Sequence, residues 1–260
     1  RFYAEPDMPP AYTVVQRLLV STLPDWKAIS SWYWQLCESH LDATTPAMQE
    51  MVDKLATGLT DHRKKMEAIF YWVSQQVRYM GITTEGQAPG WEPHDVRMTF
   101  DNRHGVCRDK AALLVAMLRL AGIEAYPVLI DAGPKKDAEI AMVAFNHAIV
   151  AAKNEDGSYQ LMDCTDENTK DLLPNYLCNC SYLVAHPLGE DLRTAPIVPA
   201  RENLVRVETT GEIDSGGNLT AETNMKFEGI NDNAYRSYFA KVKPEQRRQR
   251  PEQQRPRPPQ

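Results

Sequence analysis

The chain of 260 residues is long enough for one large domain or two modest ones, and its 43% apolar and 25% charged residues are those of an ordinary globular protein. No apolar run approaches the roughly 20 residues that span a bilayer, and a formal net charge of -6 argues against general affinity for nucleic acid. Five cysteines are too few and too scattered for a disulfide scaffold. The isolated pair Cys178 and Cys180 lacks a second pair to complete a metal site, so neither metal nor cofactor is expected. No signal peptide is read at the start, and Arg1-Phe2-Tyr3 reads as the edge of a piece cut from something longer.

In chain order, 12-YTVVQRLLVST-22 alternates after the Pro-rich 6-PDMPP-10 and predicts a strand, the remnant of an N-terminal β domain over residues 1–22. From Asp25 to Leu41, Trp26, Ile29, Trp32, Tyr33, Leu36 and Cys37 recur at helical spacing. With Trp34, these aromatics read as a stripe packed on the core rather than a ligand box. Thr45 and Pro46 open a second helix through Met48, Met51, Val52 and Leu55. A third is predicted over Asp61 to Tyr79, with Met66, Ile69, Phe70, Val73 and Val77 inward. The stretch 81-GITTEGQAPGWEP-93 reads as an irregular loop bordering a site.

The helix after Cys107 differs from these, because 111-AALLVAML-118 is apolar on every side and predicts a central, enclosed helix ended by Gly122. Strands are expected at 123–130, 142–152 and 158–163, the last two joined as a hairpin by 154-NEDGS-158. Residues 23–190 thus read as one core. A second hairpin over 203–214 and 218–229 and a short helix near 232–242 form a C-terminal β region (191–242), ahead of a disordered tail or linker over 243–260.

Cys107 sits where the enclosed helix begins. A thiol with a pKa of about 8.5 is mostly neutral at pH 7, and the free N–H groups at a helix start favour its thiolate. Arg108 and Lys110 would add to that field if they turn back, and Gly105 would permit a tight turn, with φ > 0, into the helix. The alternative is an inert buried cysteine. A nucleophile needs an imidazole, and the imidazole needs an orienting group. His147 stands on the strand 145-FNHAIVAA-152, and Asp163 closes the neighbouring strand, so the two could lie side by side across the sheet. Asp166 and Glu167 are alternative carboxylates past the strand's apolar run, while His94 and His104 read as surface or loop residues. Asp109 reads as a capping carboxylate of the helix start, or else as a wall of the pocket.

The blocks 105-GVCRDKAALLVAMLRLAGIEAYPVLI-130, 146-NHAIV-150 and 161-LMDCT-165 resemble, in this order, the three core blocks of the transglutaminase-like superfamily. The upstream 70-FYWVSQQVRYMGI-82 resembles bacterial members that carry an N-terminal β domain of unknown function. Where those relatives commonly have G-D-C-K-D, this chain has Gly105-Val106-Cys107-Arg108-Asp109. The resemblance implies an α+β fold: a papain-like, transglutaminase-like core of helices on an antiparallel sheet, with the nucleophile at the N-terminus of the central helix and flanking β regions. It implies a catalytic triad of Cys107 as nucleophile, His147 as base then acid, and Asp163 as orienting group. The activity implied is acyl transfer on peptide or glutamine amides through a thioester on Cys107, with protease-like hydrolysis favoured over crosslinking. Trp91 or Gln87, in the loop upstream, would add a donor to the oxyanion or substrate cleft, or else Trp91 simply covers that cleft. The partner would be a protein or peptide substrate, without cofactor, in a periplasmic or extracellular bacterial setting. The competing expectation is a non-catalytic module that keeps the fold to bind protein or glycan.

Overall fold

Three helices open the fold, each started by a side chain that takes up a free N–H group. The computed structural model describes residue 8 and residues 15–81 and 90–247. Helix α1 (Trp26–Leu41) is capped by Asp25, which accepts from Ala28 N. In α2 (Pro46–Ala56) the cap is Thr45 with Pro46 following, and in α3 (His62–Gln76) it is Asp61 accepting from Lys64 N. Along α1, Trp26, Ile29, Tyr33, Trp34, Cys37 and Leu41 are buried, whereas Trp32 is 38% exposed and lies off the stripe predicted for it.

Helix α3 stops short of the predicted Tyr79. Arg78 and Tyr79 form β1 (Arg78–Tyr79), which after α4 (Val96–Asn102) pairs in parallel with β2 (His104–Gly105). The bonds from Arg78 N to Arg103 O and from Met80 N to Gly105 O satisfy groups a longer helix would have used internally. Helix α4 went unread in the sequence. It ends at Arg103, which takes a left-handed φ of 57° and lays its guanidinium over Trp72 and Phe100.

Helix α5 (Cys107–Leu120) is buried from Arg108 to Leu118, as its all-round apolarity predicts. Gly122 adopts φ +76°. Ile123 N bonds Leu118 O and Gly122 N bonds Arg119 O, a double closure that frees the chain for the sheet. The sheet has the order β5-β4-β3-β6-β7, antiparallel throughout. Its strands are β3 (Ala125–Asp131), β4 (His147–Lys153), β5 (Tyr159–Met162), β6 (Ser181–Val184) and β7 (Arg193–Thr194). One face of β3 and β4 packs on α5, with α1 to α4 around the helix's remaining sides.

Strand β4 begins at His147 rather than at 142, because β3 ends at Asp131 and 142–146 has no strand beside it among the described residues. Of the strand expected at 12–22, residues 12–14 lie outside the described residues and 15–22 form none. Leu18 and Val20 there are 88% and 77% exposed, so the alternation pairs with nothing described. The second hairpin is β8 (Val205–Ile213) with β9 (Leu219–Phe227), followed by α6 (Ile230–Lys241) and the short α7 (Pro244–Arg247). Among the described residues no helix is long and apolar enough to cross a membrane.

Candidate active site

Cys107 is the first residue of α5, entered through Val106 in extended conformation. The turn does not use a positive φ at Gly105. Glycine is needed there for space: a Cβ would stand 2.8 Å from Asp109 Cβ and 3.2 Å from Thr99 Cγ2. Asp109 Oδ2 accepts from Val106 N at 3.1 Å, which takes up a free N–H of the helix start. Its Oδ1 meets His94 N at 3.0 Å and the His94 ring Nδ1 at 3.1 Å, tying the loop before α4 to the helix. The two cations beside the thiol do not turn back on it. Arg108 Nε donates to Glu92 O at 2.8 Å. Lys110, fully buried, donates to Ser74 O and Val77 O at the end of α3.

The thiol at the start of α5 is coupled to the first residue of β4, His147. The ring's Nε2 lies 3.0 Å from Asp163 Oδ2. The two residues do not face each other directly. The register pairs Val150 with Met162, so one step further sets Asp163 opposite Ile149 and the carboxylate reaches His147 diagonally. Asp163 is almost wholly enclosed, and its negative charge is met by four donors: His147, the Tyr176 hydroxyl at 2.8 Å, Thr165 N at 3.0 Å and Thr165 Oγ1 at 2.7 Å. Thr165 and Tyr176 were not singled out in the sequence. Thr165, two residues past an aspartate, is the ordinary partner of a side chain-to-backbone turn; Tyr176 gave no signal.

The electrostatics separate Cys107 from the other cysteines. Burial pushes its thiol up, but the hydrogen bond and charge of His147, with the N–H groups of Ala148 and Arg108, bring the net direction down. Burial pushes the Cys37 and Cys164 thiols up to about 12, and it also raises Cys178 and Cys180. For His147, burial works against the charged ring, yet the bonds and charges of Asp163 and Cys107 raise it to about 9. Burial likewise opposes the Asp163 carboxylate, and His147 and Thr165 hold its pKa below the usual range. Thiolate, imidazolium and carboxylate therefore stabilise one another.

Trp91 packs edge-on against Tyr33, ring centres 6.4 Å apart. Gln87 lies outside the described residues. Glu167 accepts from Tyr79 N at 3.1 Å and Asp166 from Asn168 N at 2.8 Å, while His104 is exposed on β2. Among the described residues no group of three or more His, Cys, Asp or Glu is placed to hold a metal ion.

Helices packed on an antiparallel sheet, with a cysteine opening the enclosed helix, define an α+β fold of the papain-like class. Residues 49–164 match the family described as the transglutaminase-like superfamily. A candidate protease from Parabacteroides distasonis ATCC 8503 shares the fold at TM-score 0.52 and 16% identity, covering 75% of this chain and 38% of its own. Residues 49–164 are thus similar to the transglutaminase-like superfamily, and the fold is shared with the Parabacteroides distasonis structure. Two further structures are more distant. A candidate cysteine protease from Cytophaga hutchinsonii matches at TM-score 0.39 and 18% identity over 75% of this chain and 56% of its own. The periplasmic domain of TgpA from Pseudomonas aeruginosa matches at 0.33 and 19% over 50% and 47%. The chain thus spans less than two thirds of each of these structures. No curated protein matches it.

Proposed function

We propose that this protein is a cysteine-dependent enzyme that transfers the acyl group of peptide or glutamine amides, most often to water. The observation supporting this is that the thiol held below its ordinary pKa, Cys107, is the one bonded to an imidazole whose far nitrogen meets a buried carboxylate. In this reading the Cys107 thiolate attacks the amide carbonyl carbon. The oxyanion forms beside the N–H of Cys107, at the start of α5 where helix geometry leaves backbone donors free. The C–N bond breaks as the His147 imidazolium gives its proton to the departing amine, and a thioester remains on Cys107. Water then attacks the thioester while His147 takes its proton, releasing the carboxylic acid and restoring the thiolate. Asp163 fixes the ring's orientation and stabilises its charge throughout. Hydrolysis is favoured over crosslinking because water needs no acceptor site, whereas an amine must be bound and water kept out.

The test is alkylation by iodoacetamide near neutral pH, with sites read by mass spectrometry. Selective modification of Cys107, lost in His147→Ala, supports the proposal. Reactivity no greater than that of an ordinary thiol would favour a binding module that has kept the fold. Cleavage of a peptide library by the wild type, absent in Cys107→Ala, then identifies the amide.

A further inference from the structure

Asp163 carries more donors than an orienting carboxylate requires. The two from Thr165 are local, made two residues on, and fix the rotation of the carboxyl group through Oδ1. Tyr176 differs, because it arrives from a separate turn and donates to Oδ2, the same oxygen that holds His147. That turn is a single 3-10 turn, Asn175–Leu177. It is pinned by the fully buried Leu177 and by bonds from Leu177 N to Pro174 O and from Cys178 N to Asn175 O. The Cys180 thiol adds a long contact to Tyr176 O. Tyr176 is 50% exposed and Asp163 is 1% exposed, so the phenol ring forms the outer cover of the carboxylate.

We propose that Tyr176 is a positioning residue for the pair His147 and Asp163, acting through Asp163 Oδ2, and this rests on the reading of Cys107 as a nucleophile served by that pair. The hydroxyl holds the oxygen in place and draws off part of the negative charge that the ring would otherwise meet. An acceptor shared by two donors binds each less strongly than it would bind one alone. The imidazolium is therefore held less firmly than an unshared carboxylate would hold it, and its proton is easier to pass to a departing amine. The phenol keeps its own proton across the working range, since burial and the charge of Asp163 push its pKa far up.

The other titratable groups near the pair do different things. From α5, Cys107 is the ring's second partner, and the Lys110 ammonium is committed to the carbonyls of Ser74 and Val77. From β1, Tyr79 feels the charges of Cys107 and Asp163. Cys164, beside Asp163, stays a neutral thiol with its pKa at about 12. Asp166 and Glu167 act on Lys110. Among the described residues, Tyr176 and His147 are the side chains bonded to Asp163 Oδ2.

Tyr176→Phe keeps the ring and its cover and removes only the hydroxyl. The measurement is the titration of the His147 ring followed by NMR on nitrogen-labelled protein, with its signal assigned by comparison with His147→Gln. The midpoint is expected to rise by on the order of half to one pH unit, the scale of one charge-assisted hydrogen bond partly transmitted. On any peptide the wild type cleaves, kcat is expected to fall several-fold with KM unchanged. An unmoved or lowered midpoint overturns the proposal. The titration needs no turnover, so a moved midpoint in a protein that cleaves nothing would sink the acyl-transfer reading and leave the Tyr176 coupling standing. Cleavage with an unmoved midpoint would do the reverse.

Discussion

Replacing Asp163 by asparagine keeps the shape of the site and removes the charge that His147 meets at 3.0 Å. The ring is raised from 6.5 to about 9 in the folded protein, which at about 1.4 kcal/mol per pH unit is roughly 3–4 kcal/mol in favour of the imidazolium. The His147 side chain is 13% exposed, so solvent screens little of this. Burial, the largest influence, opposes the charged ring; the bond that the ring donates to Asp163 leads the influences that favour it, ahead of the bond with Cys107. Losing the carboxylate is expected to lower the ring's pKa by about 1–2 pH units. The thiolate loses the same support, since the charge of His147 is what holds Cys107 down. The pH dependence of Cys107 alkylation should then change shape. In the wild type the rate begins to climb below the ordinary thiol value of about 8.5, and in Asp163→Asn the climb shifts up toward it. At pH 7, kcat/KM on a cleaved peptide should fall by roughly 100-fold or more. Superimposable alkylation profiles for the two proteins would refute the electrostatic reasoning.

Three more outcomes follow from the same geometry. Lys110→Met removes the ammonium that serves Ser74 O and Val77 O, and urea unfolding should show a loss of about 2–4 kcal/mol. Gly105→Ala places a methyl group 2.8 Å from Asp109 Cβ; it should cost about 1–3 kcal/mol in the same assay and slow Cys107 alkylation by moving the helix start. The pH dependence of stability carries two signatures with known sign. His147 has a folded pKa of about 9 against 6.5 for the free ring, so its contribution is complete below 6.5 and lost as pH rises through about 9. Asp163 is depressed from 3.8, so its contribution is present above that value and lost as pH falls through its lower folded pKa. The depressed Cys107 thiol opposes the His147 signature up to about pH 8.5, so the comparison is made without it. Urea midpoints of Cys107→Ser should decline above pH 6.5 more steeply than those of Cys107→Ser combined with His147→Gln, and equal slopes would contradict this.

The parts of the fold legible in the sequence are those governed by local chemistry. Asp25, Thr45 and Asp61 announce helix starts because their side chains compete for free N–H groups, and each is seen doing so. The apolarity of 111–118 required burial on all sides, and Gly122 marked where the chain must turn left-handed. Elements with too few residues to show a period stayed hidden. Helix α4 has seven residues, and β1 and β2 have two each, their pairing set by tertiary contact alone. The start of β4 was read five residues early, since alternation at 142–146 has no strand to pair with. In the candidate site the residue types of Cys107, His147 and Asp163 carried the signal, while the diagonal register between the last two depends on how the hairpin closes. Arg108 and Lys110 looked like cations free to face the thiol, and burial against backbone carbonyls gives them other work. Tyr176 could not be found from spacing, because a turn with no periodicity delivers its hydroxyl to Asp163.

The most direct test of the account is to trap the covalent intermediate. Wild-type protein mixed with an activated ester of an N-acylated glutamine peptide and quenched in acid should gain the mass of one acyl group, mapped to Cys107 and removed by hydroxylamine as a thioester is. The His147→Ala protein should gain it far more slowly. An acyl group that maps to Cys178 or Cys180, or acylation of Cys107 at the same rate without the imidazole, would contradict it.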